Sequence, residues 1–239
     1  ALLARMRTDD DRLLHRLRGD DAGIPGFLED YAFVVWGLID VYEATFDSRF
    51  LRHALALTDR MLALFHDDAD GGLFSTAHDA EVLIIRAKEA YDGALPSANA
   101  AAAFDLARLA RLTGRVEYEE RAEAIARAFG SALGQHPAGS TVMLTALQFM
   151  RGSGQEIVLA GKDREDVAAM ARALRTRWLP RNVLLFRPAG HADEIIALAP
   201  FVADMVPKHS EATAYVCRGF ACELPVGSVE EMLALLSGI

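Results

Sequence analysis

The stretch "PGFLEDYAFVVWGLIDVYEATFD" (residues 25–47) restricts the fold more than any other part of the chain. Phe27, Tyr31, Val35, Leu38 and Tyr42 fall on one side at helical spacing, and Leu28, Ala32, Trp36 and Ile39 fall on another. A helix that is apolar nearly all round has to be enclosed by other helices. The next stretch, 48–66, is one-sided. Phe50, Ala54, Leu57, Met61 and Phe65 form its apolar stripe, and Arg49, Arg52 and Arg60 occupy the opposite face. It is expected to lie outside the first helix.

The same order returns further along. Residues 97–113 form an apolar, alanine-rich helix, and 115–133 a one-sided helix striped by Tyr118, Ala122, Ile125, Phe129 and Leu133. Thr45 matches Thr113, Phe50 matches Tyr118, Ala54 matches Ala122, Leu57 matches Ile125 and Met61 matches Phe129, all at one constant offset. This is an internal repeat of an inner-helix, outer-helix hairpin. Such hairpins suit an α/α toroid, whose inner helices ring an axis and whose loops form a cleft at one end. Only part of a toroid is expected, because about three hairpins fit here and a closed six-hairpin barrel needs twice as many.

Between the two repeats lies "GGLFSTAHDAEVLIIRAKEAYDG" (71–93), read as a β-hairpin insertion with strands near 73–76 and 82–86. It would deliver the polar run Arg86, Lys88, Glu89, Tyr91 and Asp92 to the mouth of the helical ring. After residue 154 the pattern changes. "QEIVLAG" (155–161), "NVLLFRP" (182–188) and "TAYVCRG" (213–219) read as short buried strands, accompanied by helices near 163–178 and 228–236. That alternation implies a small, mainly parallel α/β layer. The expected organisation is therefore a partial toroid over 1–152 followed by an α/β region over 153–239. Residues 1–18 read as helix, and an opening Ala1 suggests a piece of a longer protein.

Charge and cysteine content narrow the function classes. The 239 residues carry 25 Lys+Arg against 34 Asp+Glu, a formal charge of −9, which disfavours a nucleic-acid partner. No apolar run approaches the ~20 residues of a membrane span, and no signal peptide opens the chain. Two cysteines, Cys217 and Cys222, are too few for a disulfide scaffold and suggest a reducing cytoplasm.

At "IPGFLEDYAF", "KEAYDGALPSAN" and "AYVCRGFACELPV" the chain resembles the C-terminal region of the thioredoxin-domain proteins related to spermatogenesis-associated protein. The similarity runs along essentially the whole chain, with Ala98 where the second motif usually has Gly. Members resemble a thioredoxin-like domain fused to a helical toroid similar to N-acylglucosamine 2-epimerases and six-hairpin glycosidases. The resemblance implies sugar chemistry, and it implies that a thioredoxin-like domain and the first toroid hairpins lie outside this sequence.

The candidate site follows. Arg86, Lys88, Glu89, Tyr91 and Asp92 either line a sugar cleft or form an ion-pair network that pins the insertion. Ser97 is placed to cap the alanine-rich helix, with ligand contact as the other role. Asn99, an amide in an apolar first turn, needs partners, either a ligand or a neighbouring loop. Glu29, Asp30 and Tyr31 begin the enclosed helix, where the helix dipole already favours acidic residues. Asp30, Glu89 and Asp92 are the candidate acid/base groups. The scattered histidines (His15, His53, His66, His78, His136, His191 and His209) give no epimerase-like pair. "CRGFAC" lacks the spacing of a redox C-x-x-C motif. It reads as a strand thiol beside a loop thiol, or as a pair that exchanges with a thioredoxin-like domain. "GKD" (161–163) lacks Walker spacing and is rejected as a phosphate loop. No metal or cofactor is implied. An open ring would expose apolar surface and lead to self-association or to a covering segment.

Overall fold

The structure is a computed structural model that describes residues 2–208 and 211–237. It begins with α1 (Leu2–Arg5), β1 (Leu14–Arg18) and β2 (Asp21–Pro25). Two helical pairs follow: α2 (Leu28–Thr45) with α3 (Ser48–Phe65), and α4 (Ala98–Thr113) with α5 (Val116–Ala128). Next come α6 (Gly130–Gln135), α7 (Thr141–Arg151), β3 (Glu156–Gly161), α8 (Ala168–Arg175), β4 (Val183–Pro188) and α9 (Asp193–Leu198). The chain ends with β5 (Thr213–Arg218), β6 (Ala221–Cys222) and α10 (Val229–Ser237). The protein is thus mainly α-helical, with two small sheets among the described residues.

The two helical pairs share their turns and part of their buried stripe, although α5 stops at Ala128, so Phe129, the counterpart of Met61, lies outside it. Each inner helix ends on a left-handed residue, Phe46 (φ 55°) in one pair and Gly114 (φ 76°) in the other. Thr45 Oγ1 donates to the Val41 carbonyl and Thr113 Oγ1 to the Leu109 carbonyl, both at 2.7 Å. Ala54, Leu57 and their counterparts Ala122 and Ile125 are all buried. Helix α4 is the central rod. It packs on α2, α5 and α7, and thirteen of its 16 residues are buried, which its run of methyl side chains permits by letting neighbours approach closely.

The N-terminal segment is not the long helix expected for 1–18. Only Leu2–Arg5 is helical, and β1 and β2 form an antiparallel hairpin turned at Gly19 (φ 61°). Thr8, Asp10 and Arg12 explain the break. The Thr8 hydroxyl donates to Asp10 and accepts the Arg12 N–H, so side chains compete with the helical ladder.

The expected β-hairpin over 73–86 is also absent. Residues 73–76 bond elsewhere: Phe74 N–H to Phe65 O, Leu28 N–H to Ser75 O, and Ser75 N–H to Ala87 O. The run 82–85 has no strand to pair with, and Val82 and Ile84 are fully exposed.

The C-terminal sheet has the order β4-β3-β5-β6 and is mixed, not mainly parallel. β3 and β4 run parallel, whereas β5 and β6 are antiparallel to their neighbours. Side-chain alternation divides β3–β5 between two cores. Val158, Ala160, Val183, Leu185, Tyr215 and Cys217 join the helical core. Ile157, Leu159, Phe186, Ala214 and Val216 pack with residues of α8 and α10. Two arginines of α4 fasten the helices to the sheet. Arg108 pairs with Asp40 and Glu43 of α2, and the second Glu43 oxygen accepts the Leu184 N–H of β4 at 2.9 Å. Arg111 donates to the carbonyls of Arg181 and Phe149, both at 2.7 Å.

Candidate functional site

A hollow of 520 Å³ opens over the N-terminal end of α4. Three segments meet there: the entry to α2 (Phe27, Leu28, Glu29), the non-helical strip after residue 88 (Glu89, Tyr91, Gly93, Leu95), and the cap of α4 (Ser97, Asn99). These are the stretches from which sequence reasoning assembled a cleft. The side chains divide sharply between those that face it and those that hold it together.

Most of the expected polar residues hold the walls. Asp92 Oδ2 accepts the Val142 N–H (2.9 Å) and the Thr141 hydroxyl (3.1 Å), and its Oδ1 accepts the Ser97 N–H (3.0 Å). It thereby caps α7 from a distance, where the positive end of the helix favours a carboxylate. Asn99 is 1% exposed and fully used. Its Oδ1 accepts the Leu73 N–H, and its Nδ2 donates to the carbonyls of Leu73 and Glu89. Ser97 Oγ accepts the Ala100 N–H at 3.1 Å, so the capping role is realised. Asp30 accepts the Phe27 N–H at 2.8 Å and lies 2.9 Å from His15 Nδ1.

The remaining three are turned inward or away. The Tyr31 hydroxyl accepts the Leu13 N–H, its ring is fully buried, and burial raises its pKa. Arg86 lies over the Phe74 ring and donates to the Thr76 carbonyl. Lys88 pairs with Asp67, and that bond holds the Asp67 carboxyl below its ordinary pKa. Neither cation lines the hollow.

Three expected residues do face it: Glu29, Glu89 and Tyr91. Both glutamates are exposed, and neither carboxylate makes a hydrogen bond or ion pair among the described residues. Tyr91 is 69% exposed, with its ring so close to Gly139 that a Cβ there would stand 2.6 Å from Cε2. Gly139 thus provides the seat for this ring. Sequence reasoning missed Gly139 as that seat, along with Leu95 and the role of Phe27 in the wall. Phe27 also touches His15 edge-on, at 5.1 Å between ring centroids. Periodicity gave no sign of this, since residues 137–142 sit some fifty positions from Tyr91 and carry no motif.

The two cysteines also differ from the expected free thiols. Cys217 and Cys222 form a disulfide between directly opposed positions of β5 and β6. Between them Gly219 and Phe220 make a tight turn with φ of 56° and 65°, the pattern of a type I′ hairpin, which brings the two sulfurs face to face. Cys217 is buried and Cys222 exposed. With both thiols joined, their small number says nothing about compartment. Among the described residues no group of three His, Cys, Asp or Glu could hold a metal ion, and no helix is long and apolar enough to cross a membrane. His209 lies outside the described residues.

Repeated helical hairpins, a hollow at one end and a mixed sheet behind them define a mainly α-helical protein with an acidic, aromatic cleft. Spermatogenesis-associated protein 20 of Homo sapiens is 35% identical over 213 residues, 88% of this chain and 27% of that protein. Its namesake in Rattus norvegicus is 34% identical over 213 residues, with the same coverage of 88% and 27%. An uncharacterized protein of Caenorhabditis elegans is 26% identical over 214 residues, 90% of this chain and 29% of its own length. No family model matches. Over 88% of its length the chain is homologous to spermatogenesis-associated protein 20, and it spans 27% of the length of these mammalian relatives.

Proposed function

We propose that the hollow over α4 binds a sugar, and that the repeated hairpins are part of an α/α toroid of the epimerase and six-hairpin glycosidase kind. One observation carries this reading: two unbonded carboxylates, Glu29 and Glu89, share a hollow with the exposed Tyr91 ring, and among the described residues no cation lines it. A pyranose offers an apolar C–H face that suits an aromatic ring and vicinal hydroxyls that donate to carboxylates. Of the candidate acid/base groups Asp30, Glu89 and Asp92, this reading keeps Glu89 and adds Glu29, since Asp30 and Asp92 are committed to capping helices. In this reading Glu89 and Glu29 supply proton transfer to a bound sugar. Asp92, Asn99 and Ser97 are positioning residues for the wall that carries Glu89 and Tyr91.

The test is a thermal-shift titration with N-acetylglucosamine and a panel of other monosaccharides. A saturable rise in Tm that disappears in Tyr91→Ala is expected. No response to any sugar in the unmodified protein would end the reading.

A second reading rests on the disulfide, whose exposed Cys222 sulfur lies on a short terminal strand. There the chain serves as an interaction module for a thioredoxin-like dithiol. The dithiol would attack Cys222 and pass two electrons to the bond, becoming a disulfide itself and leaving Cys217 and Cys222 as thiols. Free-thiol counting after incubation with a reduced thioredoxin-type protein distinguishes the two: no thiols released would rule it out.

A further inference from the structure

We propose that a second hollow, beyond the carboxyl ends of β3 and β4, binds a small molecule bearing a carboxylate or phosphate group. It measures 360 Å³ and is lined by Lys162, Arg187, Ala189, Val206 and Pro207, two cations with no acid among them. The placement follows from strand register. Gly161 and Pro188 are partners at the ends of two parallel strands, so the loops that begin at Lys162 and Ala189 leave the sheet side by side. In open α/β sheets the space beyond the carboxyl ends of the strands is where diverging loops leave room for ligands.

Arg187 gives this hollow its chemistry. It is 7% exposed, yet no carboxylate pairs with it among the described residues. Its Nη1 donates to the Pro188 carbonyl (2.8 Å) and its Nη2 to the Ala203 carbonyl (3.2 Å), while Nε is buried with no partner. Two carbonyls satisfy two of five donors and none of the charge. The comparison within the molecule is direct. Arg108 is equally buried, at 7%, and has both Asp40 and Glu43 on its guanidinium. A buried charge without a counter-charge is costly, and the wall of a hollow is where an incoming anion can supply one. The guanidinium fork matches the two oxygens of a carboxylate or phosphate, and Lys162 adds a mobile point charge from the facing loop. Ala189, Val206 and Pro207 supply an apolar wall, which fits a compact metabolite. A polymer of phosphates would meet the net charge of −9.

The experiment uses the whole chain with two probes, inorganic phosphate and succinate, each compared with sodium chloride at equal ionic strength. Binding is read from the Arg187 Nε–H resonance by NMR and from calorimetry. A saturable shift with at least one probe is expected, lost in Arg187→Met and weakened about tenfold in Lys162→Ala, a difference of about 1.4 kcal/mol. Saturation by phosphate alone identifies a phosphoryl ligand, and saturation by succinate alone a carboxylate. Lys162 is exposed, so its variant keeps the test decisive even where Arg187→Met folds poorly. No saturable response beyond chloride, or an affinity unchanged by Lys162→Ala, would overturn the proposal.

Discussion

The hollow over α4 and the hollow beyond β4 are built from opposite inventories. The first presents Glu29 and Glu89 with Tyr91 and Phe27, and the cations nearest in sequence, Arg86 and Lys88, are drawn away to Thr76, Phe74 and Asp67. The second presents Lys162 and Arg187 and no acid. Arg108, equally buried, is instead neutralised by Asp40 and Glu43. The contrast teaches that an unpaired charge on the wall of a hollow is open to a ligand, whereas Arg108, held between two carboxylates, is a joint of the fold. Each variant below breaks a paired charge, relieves an unpaired one or unseats a wall.

The largest effect is expected at the joint. Glu43→Ala removes the carboxylate that serves both Arg108 and the Leu184 N–H, leaving a buried guanidinium and a buried donor short of partners. Urea unfolding should show a loss of about 3 kcal/mol. Arg187→Met releases the Pro188 and Ala203 carbonyls but leaves no charged partner behind, so it should cost far less in the ligand-free protein. Equal losses would erase the distinction between joint and site.

Asp105 sharpens the comparison from the acid side. It lies wholly inside α4's packing, neither carboxylate oxygen has a partner, and burial raises its pKa well above the ordinary carboxylate value of 3.8. Since the folded state holds this proton more tightly than the unfolded chain, its contribution is present below pH 3.8 and is lost as pH climbs towards the raised value. Asp105→Asn should therefore gain about 1 to 2 kcal/mol at neutral pH and flatten that part of the stability–pH curve. A variant with an unchanged slope would show that Asp105 is not the group responsible.

Smaller effects separate wall from floor in the first hollow. Asp92→Ala removes the distant cap of α7 and should cost about 1 to 2 kcal/mol in stability. Gly139→Ala displaces Tyr91 and should weaken sugar binding about tenfold, close to 1.4 kcal/mol, with little change at the Arg187 hollow. Sugar affinity that survives Gly139→Ala would remove Tyr91 from the site.

Much of the helical part was legible because its signals are local. The stripe of α3, the all-round apolarity of α2, and the matched Thr45 and Thr113 each follow from spacing within a turn or two. The three strands β3, β4 and β5 announced themselves as short buried runs. What escaped depends on distant partners. The run 82–85 has strand-like residues but no neighbouring strand, and β1–β2 owes its form to a Gly19 turn and to hydroxyl bonds at Thr8. Asp92 meets α7 fifty residues on, so its sequence position beside Glu89 suggested a shared role that its bonds do not give it. Arg187 left no trace either, because its isolation is a property of three dimensions.

The sugar reading stands or falls on the two free carboxylates. Calorimetric titration of the monosaccharide panel against the unmodified chain and the Glu29→Gln/Glu89→Gln pair decides it. Saturable binding that vanishes in the double variant, with the fold intact by circular dichroism, is the predicted result. Identical titration curves for the two proteins would contradict the account.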